Sequence, residues 1–124
     1  MSSFVGGDGK VVTNSEVEKF LKKLGYEDLL EQNEQGENAL HYAVFWNEPN
    51  ILRALINEGI NVNASGEDGF TPLHEAVEQK NENIVTILLE GGADTSIKND
   101  LGERPIDIAK QYNLINIIKV LSKY

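Results

Sequence analysis

Apolar residues fall along the chain in short blocks with helix-like spacing. Val17, Phe20, Leu21 and Leu24 lie on one face of a predicted helix. Denser blocks follow at Ile51-Leu52-Arg53-Ala54-Leu55-Ile56, Ile84-Val85-Thr86-Ile87-Leu88-Leu89 and Ile117-Ile118-Lys119-Val120-Leu121. Ahead of each comes a lighter stripe at i, i+3: Leu40 with Ala43, Leu73 with Ala76, and Ile106 with Ala109. Between blocks the chain turns polar. In Asp68-Gly69-Phe70-Thr71-Pro72, Gly69 can take a positive φ, and Pro72 fits a first helical position, where no N–H is needed. The pattern predicts pairs of short helices, the later member starting at Pro49 after Glu48 in the first pair and capped by Asn81 in the second.

These stretches are copies of one another. Gly36, Gly69 and Gly102 are 33 residues apart, as are Leu40, Leu73 and Ile106. A period of 33 carrying Thr71-Pro72-Leu73-His74-Glu75-Ala76 resembles the ankyrin family. The second copy continues Asn83-Ile84-Val85-Thr86-Ile87-Leu88-Leu89-Glu90-Gly91-Gly92-Ala93-Asp94, similar almost letter for letter to that family's second helix. The resemblance implies an all-α solenoid of helix-turn-helix units with short extended hairpin loops. Residues 1–33 are then a flexible N-terminus plus a capping helix, 34–66 and 67–99 are two full repeats, and 100–124 is a C-terminal capping repeat. Departures are Asn38-Ala39 and Arg104-Pro105 where Thr-Pro is usual, and Asp107 in place of His. Asn38 can still accept from helix-start N–H groups. The last helix is expected to turn Ile115, Ile118 and Leu121, or their apolar neighbours, toward the second repeat.

Residues 1–10, with three glycines, are expected to be mobile or loosely docked. Thr13 and Glu16 are spaced as a capping box, and Val12 and Val17 as the hydrophobic staple across it. Gly25 marks the stop. This helix resembles the second helix of a repeat whose first helix is missing, and it covers the apolar side of the first full repeat.

With 124 residues and 40% hydrophobic composition the chain makes one domain with a continuous core. It has no apolar run near the ~20 residues that span a bilayer and no secretory-signal pattern, so the expectation is a cytoplasmic protein, monomeric when free. The absence of cysteine removes disulfide and thiolate chemistry. The net charge of −9 is unevenly placed. Residues 1–26 hold four bases and three acids, 27–103 three bases and sixteen acids, and 104–124 four bases and one acid. Such an acidic body repels nucleic acid and anionic membrane and attracts basic partners.

His41 and His74 share one repeat position, with Asp107 as the third equivalent. A two-His-one-Asp metal site is conceivable from residue type alone. The family resemblance instead implies a structural ring that bridges loop backbone groups, alongside structural Gly36, Gly69, Gly102 and Pro72. No nucleophile elbow, phosphate loop or calcium-loop spacing is present, so neither enzymatic activity nor a cofactor is expected. The resemblance implies recognition through hairpin tips and the exposed side of the first helices. Those positions are Glu34, Gln35, Glu37, Phe45 and Trp46; Glu67, Asp68, Phe70, Glu78 and Gln79; and Asp100, Leu101, Glu103, Gln111 and Tyr112. They include seven acids, four aromatics and no base. The expected function is a non-catalytic interaction module for a basic protein partner. The alternative is an inhibitor or immunity protein that neutralises a cationic enzyme or toxin such as a nuclease.

Overall fold

The computed structural model describes residues 3–5 and 11–124, with side chains from Ser15 onward. Two strands, β1 (Ser3–Val5) and β2 (Val11–Thr13), pair antiparallel with Phe4 opposite Val12. Seven α-helices follow among the described residues, with one 3-10 turn at Glu67–Gly69: α1 (Asn14–Leu24), α2 (Ala39–Phe45), α3 (Pro49–Asn57), α4 (Pro72–Glu78), α5 (Glu82–Glu90), α6 (Pro105–Gln111) and α7 (Ile115–Leu121). The ribbon was not anticipated. Ser3–Val5 joins it beside α3, whereas the rest of the expectation for residues 1–10 lies outside the described residues. The capping box and staple also rest on side chains outside that range, although α1 does begin directly after Thr13.

Helices α2, α4 and α6 stack as one layer, and α1, α3, α5 and α7 as the other. The stack is therefore all-α and built from antiparallel pairs, each too thin to enclose its own apolar stripe. α1 occupies the second layer, where Val17, Phe20 and Leu21 are buried. It ends at Gly25, whose φ of +80° lets Tyr26 N–H reach back to Leu21 C=O (2.8 Å). Leu40, Val44, Leu52 and Leu55 of the first full pair, and Leu73, Val77, Ile84 and Leu88 of the second, have at most 1% exposure. In α7 the expected register changes. Ile117 and Leu121, four residues apart, are buried, Ile118 is half-buried, and Ile115 is turned outward.

Each first helix is fastened at its N-terminus by its neighbours in sequence. Asn38 accepts from Leu40 N–H (3.0 Å) and His41 N–H (3.4 Å), and Thr71 Oγ1 accepts from His74 N–H (3.3 Å). At the third copy Asp107 accepts from Arg104 N–H (2.9 Å) and pairs with its guanidinium, which holds the carboxyl down at about 2. Asn81 caps α5 by accepting from Ile84 N–H (3.1 Å). Between the helices of each pair the same turn recurs, with Asn47, Lys80 and Asn113 at φ of 51°, 60° and 59°.

Candidate recognition surface

The two histidines lock hairpin to helix and are not free to ligate. His41 Nδ1 accepts from Asn38 N–H (3.1 Å), so Nε2 carries the proton and donates to Phe70 C=O of the next hairpin (3.0 Å). His74 repeats the arrangement: its Nδ1 accepts from Thr71 N–H (3.2 Å) and Nε2–H donates to Glu103 C=O (2.9 Å). Both rings are fully buried, and burial pushes both below the ordinary histidine value, which favours this neutral tautomer. With both ring nitrogens of each histidine engaged, the metal alternative loses its ligands. Among the described residues no cluster of His, Asp and Glu is placed to hold a metal ion.

The hairpin tips are built from backbone and asparagine. Asn33 Oδ1 accepts from Gln35 and Glu37 N–H groups, and Asn99 Oδ1 accepts from Leu101 and Glu103 N–H groups. The middle tip has Gly66 at that position and turns through Asp68 and Gly69, with φ of 57° and 73°. A Cβ on Gly69 would stand 2.6 Å from Asp100 Oδ1 and 2.8 Å from Asp100 N, because Asp100 N–H donates to Asp68 C=O (3.0 Å). The second and third tips are thus stitched together, which sets the exposed Asp68 and Asp100 side by side.

The expected contact residues divide by environment. Glu34, Gln35, Glu67, Asp68, Glu78, Gln79, Asp100, Leu101 and Gln111 are exposed, while Glu103 is half-buried and accepts from Asn99 Nδ2 (3.0 Å). Glu37 differs from expectation: only 8% of it is exposed. Its carboxylate accepts from Asn33 Nδ2 (3.0 Å) and Tyr42 O–H (3.3 Å), and its carbonyl accepts from Tyr26 O–H (2.7 Å). A Cβ on Gly66 would come 2.6 Å from Glu37 Cγ, so this acid lies under the next hairpin and faces no partner.

Of the aromatics, Trp46 and Tyr112 are exposed, Phe45 is half-buried against Tyr42, and Phe70 is half-buried against the His74 ring. The set does not lack bases in space. Lys23 Nζ lies 4.8 Å over the Trp46 ring, and Lys80 Nζ lies 5.6 Å over Tyr112. Trp46 also meets Phe20 edge-on (5.7 Å), tying α1 to α2, so it contributes to the fold as well as to the surface.

Sequence reasoning missed Glu75. It reads as one letter of the repeat motif, yet its side chain is half-buried on α4, at the copy position of Tyr42 and Ile108. Burial, then repulsion from Glu37, Glu78, Glu67 and Asp68, pushes its carboxyl up to about 7. The signal available beforehand was its helical spacing of three from Glu78 and its closeness in chain to Glu67 and Asp68.

No helix among the described residues is long and apolar enough to cross a membrane. Residues 11–99 and 66–124 match a family model described as ankyrin repeats, in three copies. A comparison with curated proteins found no match.

Proposed function

We propose, from the premise that this chain belongs to the ankyrin-repeat family, that it binds a basic protein partner through the first-helix layer and its tips. Ankyrin repeats are generally protein–protein interaction modules and typically non-catalytic, using the broad surface that stacked units present. The finer reading is supported by the exposed acids Glu67, Asp68 and Glu78 grouped around the half-buried Glu75. Glu67, Asp68 and Glu78 lie close enough to Glu75 to oppose its ionisation. A face that works against itself in this way is relieved by an incoming guanidinium or ammonium. Trp46 and Tyr112, each already carrying a lysine over its ring, mark the rim opposite the tips.

A test is capture from the source lysate with the native protein and with a Glu67→Lys/Asp68→Lys variant. Both side chains are exposed, so the variant is expected to fold, with some loss of stability from lysine at the left-handed φ of residue 68. Basic proteins captured by the native form and lost from the variant support the reading, and association should slow as salt rises. Capture that is insensitive to both changes overturns it. The same carboxylates would suit an inhibitor that sits where a cationic enzyme, such as a nuclease, holds its anionic substrate. That narrower role requires that a captured basic enzyme lose activity when bound.

A further inference from the structure

The three repeats hold their inner acids differently. Glu37 and Glu103 are copies of one position, and each has a donor, from Asn33 Nδ2 and Asn99 Nδ2 (both 3.0 Å). In the middle repeat Phe70 stands at that position and Gly66 at the asparagine's, so acid and donor are both missing. The inner acid there is Glu75, half-buried on α4. Its carboxylate accepts no hydrogen bond and pairs with no base among the described residues. A carboxylate drawn partly out of water without a donor is unfavourable until a cation reaches it.

Across the groove α2 carries a row of aromatic side chains. Tyr42 and Phe45 are half-buried and Trp46 is exposed, with ring centroids 5.5 Å from Tyr42 to each of the others. α2 packs against α4, and both are inner members of the stack, flanked by α1 on one side and α6 on the other. Tyr42 is the copy of Glu75, one repeat earlier. Glu37, which accepts from the Tyr42 hydroxyl, heads the carboxylates that oppose Glu75 ionisation, so Glu75 lies near the Tyr42 end of the row. The row already seats one cation, since Lys23 Nζ lies 4.8 Å over Trp46. Among the described residues no base lies over Tyr42 or Phe45.

We infer that the groove between α2 and α4 takes an arginine side chain, whose guanidinium pairs with Glu75 and lies against Tyr42 and Phe45. This deepens the basic-partner reading above and rests on it. The planar guanidinium gives a carboxylate two parallel N–H donors, stacks its flat face on an aromatic ring, and is weakly hydrated, which lowers the cost of entering a half-buried site. Lysine offers a compact, strongly hydrated charge. That suits the exposed Trp46 ring, where Lys23 sits, better than the carboxylate deeper in the groove. Glu78, exposed three residues along α4, adds a second carboxylate at the mouth.

The test is an amide NMR titration of the whole chain with two synthetic peptides. Each carries three basic residues in a glycine-serine background, all arginine in one and all lysine in the other. The arginine peptide is expected to shift the resonances of Tyr42, Phe45, Glu75 and Glu78 and to bind about tenfold more tightly than the lysine peptide. Glu75→Gln keeps the side-chain shape and should remove that preference. Glu82→Gln, which deletes the same charge on α5, should leave it intact. Equal binding of the two peptides, shifts from the arginine peptide confined to the tips, or a preference that survives Glu75→Gln or disappears with Glu82→Gln each overturns the inference. Those four results leave the basic-partner reading standing, because both peptides still bind. Binding of neither peptide, at the groove or at the tips, overturns the two together.

Discussion

Replacing Glu75 by glutamine should stabilise the protein, and by an amount that depends on pH in one direction only. Burial and the neighbouring carboxylates raise its folded value from 4.5 to about 7. At about 1.4 kcal/mol per unit the full shift is worth about 3 kcal/mol. Because the side chain is only half-buried, solvent screening reduces this to about 1–2 kcal/mol. The sign follows from proton counting. Below 4.5 the carboxyl is protonated in both states and costs nothing. Between 4.5 and about 7 the folded chain binds more protons than the unfolded one, so native stability falls as pH rises. Above that window the full cost is present. Glutamine keeps the shape and cannot ionise. The stability difference between variant and native protein should therefore grow from near zero at pH 4.5 to about 1–2 kcal/mol at pH 8. Urea unfolding of both proteins across that range measures it, and titrating groups not coupled to residue 75 cancel in the subtraction. A difference that stays flat with pH, or a Glu75 NMR titration midpoint near 4.5, would refute the reasoning.

Three further predictions concern the stack. His41 and His74 are held neutral below their ordinary value of 6.5, so their contribution is present above 6.5 and lost as pH falls through the folded values; acid unfolding should begin below 6.5, with ring resonances that stay neutral while the fold persists. Lys80→Asn should raise the thermal midpoint. The left-handed φ of 60° costs an ordinary residue about 1–2 kcal/mol, against about 0.5–1 kcal/mol for the lost contact over Tyr112, leaving a net gain of about 0.5 kcal/mol. Gly102→Ala should cost about 1 kcal/mol from φ alone, because nothing lies near its Cβ, whereas Gly69→Ala must also displace the Asp100 backbone and should cost clearly more in the same chemical denaturation assay.

The sequence made the helices legible because two signals agreed at each: the 33-residue repetition, and caps that hold locally, such as Asn38, Thr71 and Asn81. It misled where the deciding contact came from another layer. In α7, Ile115, Ile117 and Ile118 satisfy two apolar faces equally well, and packing on α5 chooses the one that buries Ile117 with Leu121. Glu37 looks like a surface acid by type. Tyr26, Asn33 and Tyr42 supply its partners and Gly66 its lid, none of which a charge count can place. Lys23 and Lys80 lie outside the residues first assigned to the surface, and reach its aromatics only through the stacking of α1 on α2 and of α4 on α6.

The contrast among equivalent positions separates what the fold requires from what it tolerates. At the third position of each first helix, His41, His74 and Asp107 all bond the backbone N–H of residue i−3, so the chemistry changes while the role persists. One residue later the copies are Tyr42, Glu75 and Ile108, an aromatic, an acid and an aliphatic residue, in helices of equal length. The stack accommodates all three, so it does not demand an acid at residue 75, and burial and repulsion both work against one. A residue that the scaffold neither needs nor favours points to a cause outside the scaffold, and the basic partner proposed for this face would supply one.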